Sequence, residues 1–194
     1  MSPSQSRSTL KPASEQLKPA PTLGAGLDVL VNWEFLKSPA HREQIHRAVR
    51  DGAHPHILVF EAALVHRLAK IGIPMFATEV WRDASRQDML YVQGHSKARA
   101  GQSPHQYGLA VDIVHGVKAW DMPEKSWKMI GHIGKELASM NGIDIMWGGD
   151  FKSLWDPAHW EIRDWKTHKD RSKWPIIRQM SQKLRKSVMA APPM

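Results

Sequence analysis

The 194-residue sequence predicts one α+β domain, in which helices flank a small antiparallel sheet. Apolar residues recur at helical spacing in four stretches: 40–50, 56–71, 84–93 and 123–140. Short β-like stretches lie between or after them: 74–80, 109–114, 143–147 and a last one beginning near residue 159. The length allows one sizeable core but not two comfortable domains, so we expect a single active or binding site.

Turn and capping residues mark the ends of these elements. Gly72 and the Asn141-Gly142 pair are expected to end helices, since both residue types adopt left-handed backbone conformations readily. Asp83 is a plausible N-cap for the helix at 84–93, and Pro123 is suited to open the helix at 123–140. Residues 94–104 contain Gly, Ser and Lys without apolar periodicity, which predicts a loop.

Both ends of the chain differ in composition from the domain that we expect at 26–165. Residues 1–25 are rich in Ser, Pro and Lys and poor in apolar residues, so burial cannot offset the entropy of ordering them, which predicts a flexible arm. Residues 166–194 form a basic tail. Four apolar residues in it lie at roughly helical spacing, which favours a partly helical tail: Ile176, Ile177, Met180 and Leu184.

Charge and cysteine content restrict the class of protein. The chain has 27 Lys and Arg against 19 Asp and Glu, a formal net charge of +8, which favours anionic partners such as a cell wall or a membrane surface. We expect no specific nucleic acid partner. The chain has no cysteine, which excludes disulfide scaffolds and thiolate zinc sites and leaves His, Asp and Glu as ligands for a transition metal. No apolar run suits a signal peptide or a membrane span, so we expect a soluble protein.

The strongest chemical signal is a histidine in a loop followed by a carboxylate in a strand. His105 precedes Asp112 by seven residues, and strand alternation places Asp112 on the face opposite Val111 and Ile113. A carboxylate in an otherwise apolar strand needs a compensating partner, and a cation supplies one. Gly108 would let the loop turn sharply into the strand.

A second histidine lies about fifty residues further on. His159 with His105 and Asp112 gives two imidazoles and one carboxylate, the donor set of a three-ligand catalytic zinc site. Asp156, three residues before His159, is placed to take a proton from water, while zinc would lower the pKa of that water and polarise a carbonyl. Asp156 has an alternative role as the cap of the turn at Pro157.

These two segments, S-x-H-x-x-G-x-A-x-D and D-x-x-H-W-E, resemble the zinc D-Ala-D-Ala carboxypeptidase and L-Ala-D-Glu endopeptidase family, which includes VanX- and VanY-type enzymes and many phage endolysins. The resemblance covers about Ile73 to Ile162. It implies a hedgehog/D-Ala-D-Ala peptidase-like fold, one zinc ion held by His105, Asp112 and His159, and Asp156 as the catalytic base. An aspartate at position 156 is more similar to the endolysin-like endopeptidases.

The resemblance also implies residues around the metal. The family has an upstream arginine that holds substrate and stabilises the transition state, which matches Arg82, although Trp81 stands where the family usually has tyrosine. The alternative role for Arg82 is a surface ion pair with Asp83 or Glu79. The remaining expected substrate contacts are Gln87, Ser103 and Trp147, and we expect Glu161 to lie behind a metal-bound imidazole as its hydrogen-bond acceptor.

Two functions from different classes follow. The first is a zinc peptidase that cuts the peptide stems of peptidoglycan, at L-Ala-D-Glu rather than D-Ala-D-Ala bonds, as a phage endolysin or virion-associated enzyme. It would be made in the host cytoplasm and reach the wall or periplasm through a holin or inside a virion. The alternative is a virion structural or binding protein that contacts other virion proteins through basic arms, with a vestigial or stabilising zinc site. Intact catalytic positions favour the first.

Overall fold

The computed structural model describes residues 26–176, so the expected arm at 1–25 and the tail from residue 177 lie outside the described residues. Helices and strands follow one another along the described chain in the order α1, α2, α3, β1, α4, β2, α5, β3 and β4. The helices are α1 Trp33–Leu36, α2 Pro39–Ile45, α3 Pro55–Ala69, α4 Ala84–Val92 and α5 Glu124–Met140. The strands are β1 Met75–Glu79, β2 Ala110–His115, β3 Ile145–Trp147 and β4 His159–Ile162. This architecture confirms the α+β prediction.

The four strands form one antiparallel sheet in the order β1-β2-β4-β3. Strands β2 and β4 are therefore central neighbours, although about fifty residues separate them in sequence. Their register places Asp112 directly opposite His159 and Ala110 opposite Glu161. Because opposite residues of an antiparallel pair project to the same face, this pairing brings both sequence motifs together.

The core lies on the other face of the sheet. Trp160 of β4 is almost completely buried there, with its ring 4.7 Å from that of Phe60 in α3. Gly134 of α5 comes close to the same indole, since a Cβ at this position would overlap it. Helices α3 and α5 thus cover one face of the sheet, while Asp112, with its strand neighbours Val111 and Ile113 in the core, points to the open face.

Hydrogen bonds between side chains and the backbone determine where two of the helices begin or end. The predicted cap is present, since the Asp83 side chain accepts the backbone N–H of Arg86 at 2.7 Å. Helix α2 ends at Ile45 rather than near residue 50. Beyond it, Arg50 donates hydrogen bonds to the carbonyl oxygens of Ile45 and Ala48, at 2.8 and 2.9 Å, which stabilises an irregular turn in place of further helix.

The described part of the predicted basic tail packs on the domain. Residues 165–168 and 171–173 form short 3-10 helices, and Trp174 follows. The Trp174 ring lies 4.7 Å from the His54 ring, and its indole N–H donates to the His168 carbonyl oxygen. The folded unit therefore extends past residue 165 to at least Trp174. Among residues 26–176, no helix combines the length and apolar composition needed to cross a bilayer.

Candidate active site

Three side chains from the two motifs meet on the open face of the sheet. The atoms that face one another are His105 Nε2, Asp112 Oδ1 and His159 Nδ1. They form a nearly equilateral triangle: 3.3 Å from His105 to Asp112, 3.0 Å from Asp112 to His159, and 3.2 Å between the two imidazoles. Both histidines are buried and Asp112 is partly buried.

The outer nitrogens of both imidazoles are engaged by acceptors. His105 Nδ1 lies 3.1 Å from the carbonyl oxygen of Val80, and His159 Nε2 lies 3.0 Å from Glu161 Oε2. Donation from these outer nitrogens means that, when the imidazoles are neutral, the inner nitrogens carry the lone pairs that can bind a metal beside Asp112. Glu161 thus occupies the acceptor position expected for it behind His159.

Local backbone structure explains why the three side chains converge. His105 lies in a 3-10 turn, Pro104–Tyr107, that ends at Gly108 with φ of +70°. A Cβ at Gly108 would overlap the backbone of Gly52 and Ala53, so both conformation and space require glycine. The turn leads directly into β2, which carries Asp112, while His159 opens the neighbouring β4.

The donor set fits zinc in chemistry and in spacing. Two atoms each about 2.0–2.1 Å from a tetrahedral zinc are roughly 3.3–3.4 Å apart, close to the observed sides of 3.0–3.3 Å. When both imidazoles are neutral, as metal binding requires, His105, Asp112 and His159 together carry one negative charge in a largely buried position, which a cation would compensate. Among residues 26–176, this is the one group of His and acidic side chains with such geometry.

The electrostatics of the cluster favour positive charge. Burial alone would raise the pKa of Asp112, but the adjacent His105 and His159 hold it well below its ordinary value. Burial alone would lower the pKa of His159, but hydrogen bonds to Asp112 and Glu161 raise it to about 10. The two carboxylates therefore create a negative potential at the imidazoles, and the same potential favours a metal cation there.

Asp156 lies beside the triangle at a turn held by backbone hydrogen bonds. Its N–H donates to the Gly148 carbonyl oxygen at 3.1 Å, and its own carbonyl oxygen accepts from the N–H of His159 at 3.2 Å. Burial and the negative charge of Asp112 raise the pKa of Asp156, which makes its carboxylate a stronger base. The position and the basicity both suit proton transfer.

Arg82 reaches the same cluster from the end of β1. It is 8% exposed, and one guanidinium nitrogen pairs with Glu79 and lies 3.7 Å from Asp112 Oδ2. The ion pair between Arg82 and Glu79 is therefore present, but it lies beside Asp112 in the interior rather than at the surface. Arg82 also anchors the His105 turn, since its backbone N–H donates to the His105 carbonyl oxygen at 3.2 Å.

Comparison with known proteins agrees with this geometry. Residues 96–162 match the family model described as D-alanyl-D-alanine carboxypeptidase. The peptidoglycan L-alanyl-D-glutamate endopeptidase CwlK of Bacillus subtilis (strain 168) is 34% identical over 127 residues, which cover 56% of this chain and 72% of that protein. The chain belongs to the family of D-Ala-D-Ala carboxypeptidases and L-Ala-D-Glu endopeptidases. It is thus a peptidase, and the peptidases of this family depend on zinc.

A solved structure is also similar. The crystal structure of the Serratia marcescens L-Ala D-Glu endopeptidase ChiX aligns with a TM-score of 0.49 at 27% sequence identity, over 66% of this chain and 90% of that chain.

Three side chains expected to touch substrate lie instead in the interior of the peptidase. Gln87, Ser103 and Trp147 are 0%, 4% and 4% exposed. Trp147 pairs with Trp160 across β3 and β4 and so shares the core face, opposite to His159. Its indole N–H donates to the Pro157 carbonyl oxygen at 2.8 Å. All three side chains are buried in this structure, and their direct contact with substrate stays a prediction.

Two further groups border the cluster. The Phe151 ring lies 6.0 Å from the His159 ring, at the edge of the site. The Val80 carbonyl oxygen accepts from His105, a role that side-chain motifs cannot reveal because it belongs to the backbone. Phe151 had a sequence signal, since it follows the Gly148-Gly149-Asp150 turn shortly before the second motif.

A groove of about 480 Å³ opens next to the cluster, with Glu161 in its wall. It continues over Met146 of β3, the direct neighbour of Glu161 in the sheet, towards the 3-10 turn at 165–168. Arg163 and Lys166 supply positive charge to the groove, and Arg163 is paired with Asp144 at 2.7 Å. The groove thus extends away from the donor cluster on the side of Glu161.

Proposed function

We propose that this peptidase hydrolyses the peptide stems of bacterial peptidoglycan, with one zinc ion per chain held by His105, Asp112 and His159. The favoured bond is L-Ala-D-Glu rather than D-Ala-D-Ala, which is supported by the similarity to CwlK and by an aspartate at the position of the base. The observation that carries the proposal is the triangle of donor atoms, 3.0–3.3 Å on a side, with the Asp156 carboxyl beside it.

The protein side chains divide the work of amide hydrolysis. Zinc, when bound, supplies a Lewis acid that lowers the pKa of water and polarises the scissile carbonyl. Asp156 takes the proton of the attacking water and returns it to the leaving amine, for which its raised pKa is suited. Arg82 stabilises the negative charge that develops on the carbonyl oxygen. Glu161 keeps His159 in the required tautomer and orientation.

We place the activity in a lytic setting, as a phage endolysin or a virion-associated enzyme, because such enzymes are common among proteins with these motifs. The formal charge of +8 supports attraction to anionic wall polymers or membrane surfaces. Action at the cell wall after delivery through a holin or by a virion is part of the same proposal.

Digestion of purified peptidoglycan followed by mass spectrometry tests the function. L-Ala-D-Glu cleavage leaves L-Ala on the glycan and produces peptides that begin with D-Glu, whereas carboxypeptidase activity releases only D-Ala. We expect the first pattern, its loss in the presence of a chelator, and its return when zinc is added. Metal binding without any product would favour the alternative of a virion structural or binding protein with a stabilising zinc site.

A further inference from the structure

Gln87 is a completely buried polar residue whose amide is fully used. It lies in the first half of α4 and is 0% exposed. Its carbonyl oxygen accepts a hydrogen bond from Arg82 Nη1 at 2.8 Å. Its NH₂ group donates to Ser96 Oγ at 2.9 Å and to the Ala98 carbonyl oxygen at 2.6 Å. The polar atoms of the side chain are thus engaged within the protein.

The hydrogen bond to Gln87 occupies one terminal nitrogen, Nη1, of the Arg82 guanidinium. Its other terminal nitrogen faces the carboxylates of Glu79 and Asp112, and its Nε is the one buried side-chain nitrogen or oxygen among residues 26–176 without a hydrogen-bond partner. Within the described part of the chain, Gln87 therefore provides the only neutral hydrogen-bond partner of a guanidinium that Glu79 and Asp112 also attract. Without it, Nη1 would lose its partner and the guanidinium would be free to turn towards those carboxylates.

The other bonds of Gln87 reach the loop at 94–103, which leads into the His105 turn. Ser96 and Ala98 are the points of attachment. The same loop is held farther along by Asp88 of α4, whose side-chain oxygen accepts the Ala100 N–H at 2.8 Å. Gln87 is thus the side chain that joins this loop to Arg82, whereas Asp88 fastens the loop at Ala100.

We propose that Gln87 is a positioning residue of the peptidase, which acts on turnover by holding Arg82 in place, with Ser96 and Ala98 as its own points of attachment. The inference rests on the proposed function of Arg82, since the orientation of Arg82 matters only if its guanidinium acts on the substrate. Displacement of a catalytic group by about 1 Å typically costs about a hundredfold in rate.

A double-mutant cycle tests the proposal with the full chain and purified peptidoglycan. Gln87→Met keeps the length and volume of the side chain but removes its hydrogen bonds. We expect Gln87→Met to lower kcat by roughly ten- to a hundredfold without loss of zinc, and Arg82→Ala to lower it at least as much. In the double variant, Gln87→Met should cause no further loss, because the group that it positions is absent. Independent, additive losses would overturn the proposal.

Two further variants separate the bond between Gln87 and Arg82 from the attachment of the loop. Gln87→Glu cannot donate to Ala98, but it keeps an acceptor for Arg82. Because the bond to Arg82 is the one that acts on turnover, this variant should retain most of the turnover that Gln87→Met loses. If Gln87→Met does not fold, Gln87→Glu still tests the proposal. Asp88→Ala loosens the same loop from the same helix and should stay close to the unmodified protein. A loss in Asp88→Ala equal to that in Gln87→Met, or no rescue by Gln87→Glu, would overturn the role of Gln87 in holding Arg82. Failure of the proposed function is distinguishable, because the unmodified protein would then release no stem peptide.

Discussion

Replacement of Gly148 by alanine gives a sharp test of how the site is built. Gly148 is buried against the turn that carries Asp156 and His159. An added Cβ would overlap the Asp156 carbonyl oxygen and would lie 3.1 Å from the Cβ of His159. The φ of Gly148 is not positive, so the added cost comes from space rather than from backbone strain. Relief of the overlap requires the turn to move by about 1 Å, because interiors are close-packed.

A shift of that size at the catalytic base predicts a fall in kcat/KM of about a hundredfold in Gly148→Ala. The assay is stem-peptide release, with thermal unfolding to show that the protein still folds. Gly142→Ala is the control, since this position has φ of +65° but nothing within 4 Å of an added Cβ. It should lose some stability and little activity. Unchanged kinetics in folded Gly148→Ala would refute the claim that this glycine sets the position of the base.

Three other changes have defined outcomes. Glu161→Ala should weaken zinc binding by about ten- to a hundredfold in competition with a chelator, because His159 loses its acceptor; unchanged affinity would remove Glu161 from the site. Burial lowers the pKa of His54 from 6.5 to about 4, so the neutral form is favoured in the folded state. The contribution of neutral His54 to the free energy of unfolding is therefore complete above pH 6.5, and up to about 3 kcal/mol of it is lost as pH falls from 6.5 to 4. His54→Asn should flatten the dependence of the free energy of unfolding on pH in that range. An unchanged slope would contradict this. Gly134→Ala should lower the free energy of unfolding by about 1–3 kcal/mol in denaturant titration, since its Cβ would overlap Trp160; no loss of stability would show that α5 can shift.

The donor residues were predictable because each lies in a short motif, whereas their meeting depends on the register of β2 against β4. Strand alternation fixes the face of Asp112, and the step of two residues from His159 to Glu161 along one strand places both side chains on that face. Two motifs of this length also carry a family resemblance that spacing alone would not. The α+β class followed from periodicity in the same way. Prediction succeeded where a short segment determines the face of the sheet to which a side chain points.

Side chains behind the cluster were not predictable because their surroundings are non-local. The direction of Trp147 follows from its pairing with Trp160, a register that exists only once β3 and β4 are aligned. Nothing in α4 shows that Gln87 meets Arg82 and two groups of the following loop in the interior. Position near a motif suggested contact with substrate for both residues, and the tertiary structure placed both in the interior.

Zinc content and turnover of the Asp156→Asn variant, measured on one preparation, test the central claim most directly. Asparagine keeps the size of the side chain but cannot take a proton from water. With His105, Asp112 and His159 intact, the variant should retain one zinc per chain and lose about a hundred- to ten-thousandfold in turnover. Loss of zinc would make Asp156 a ligand, and turnover near that of the unmodified protein would place the base elsewhere. Either result would contradict the division between metal binding and proton transfer.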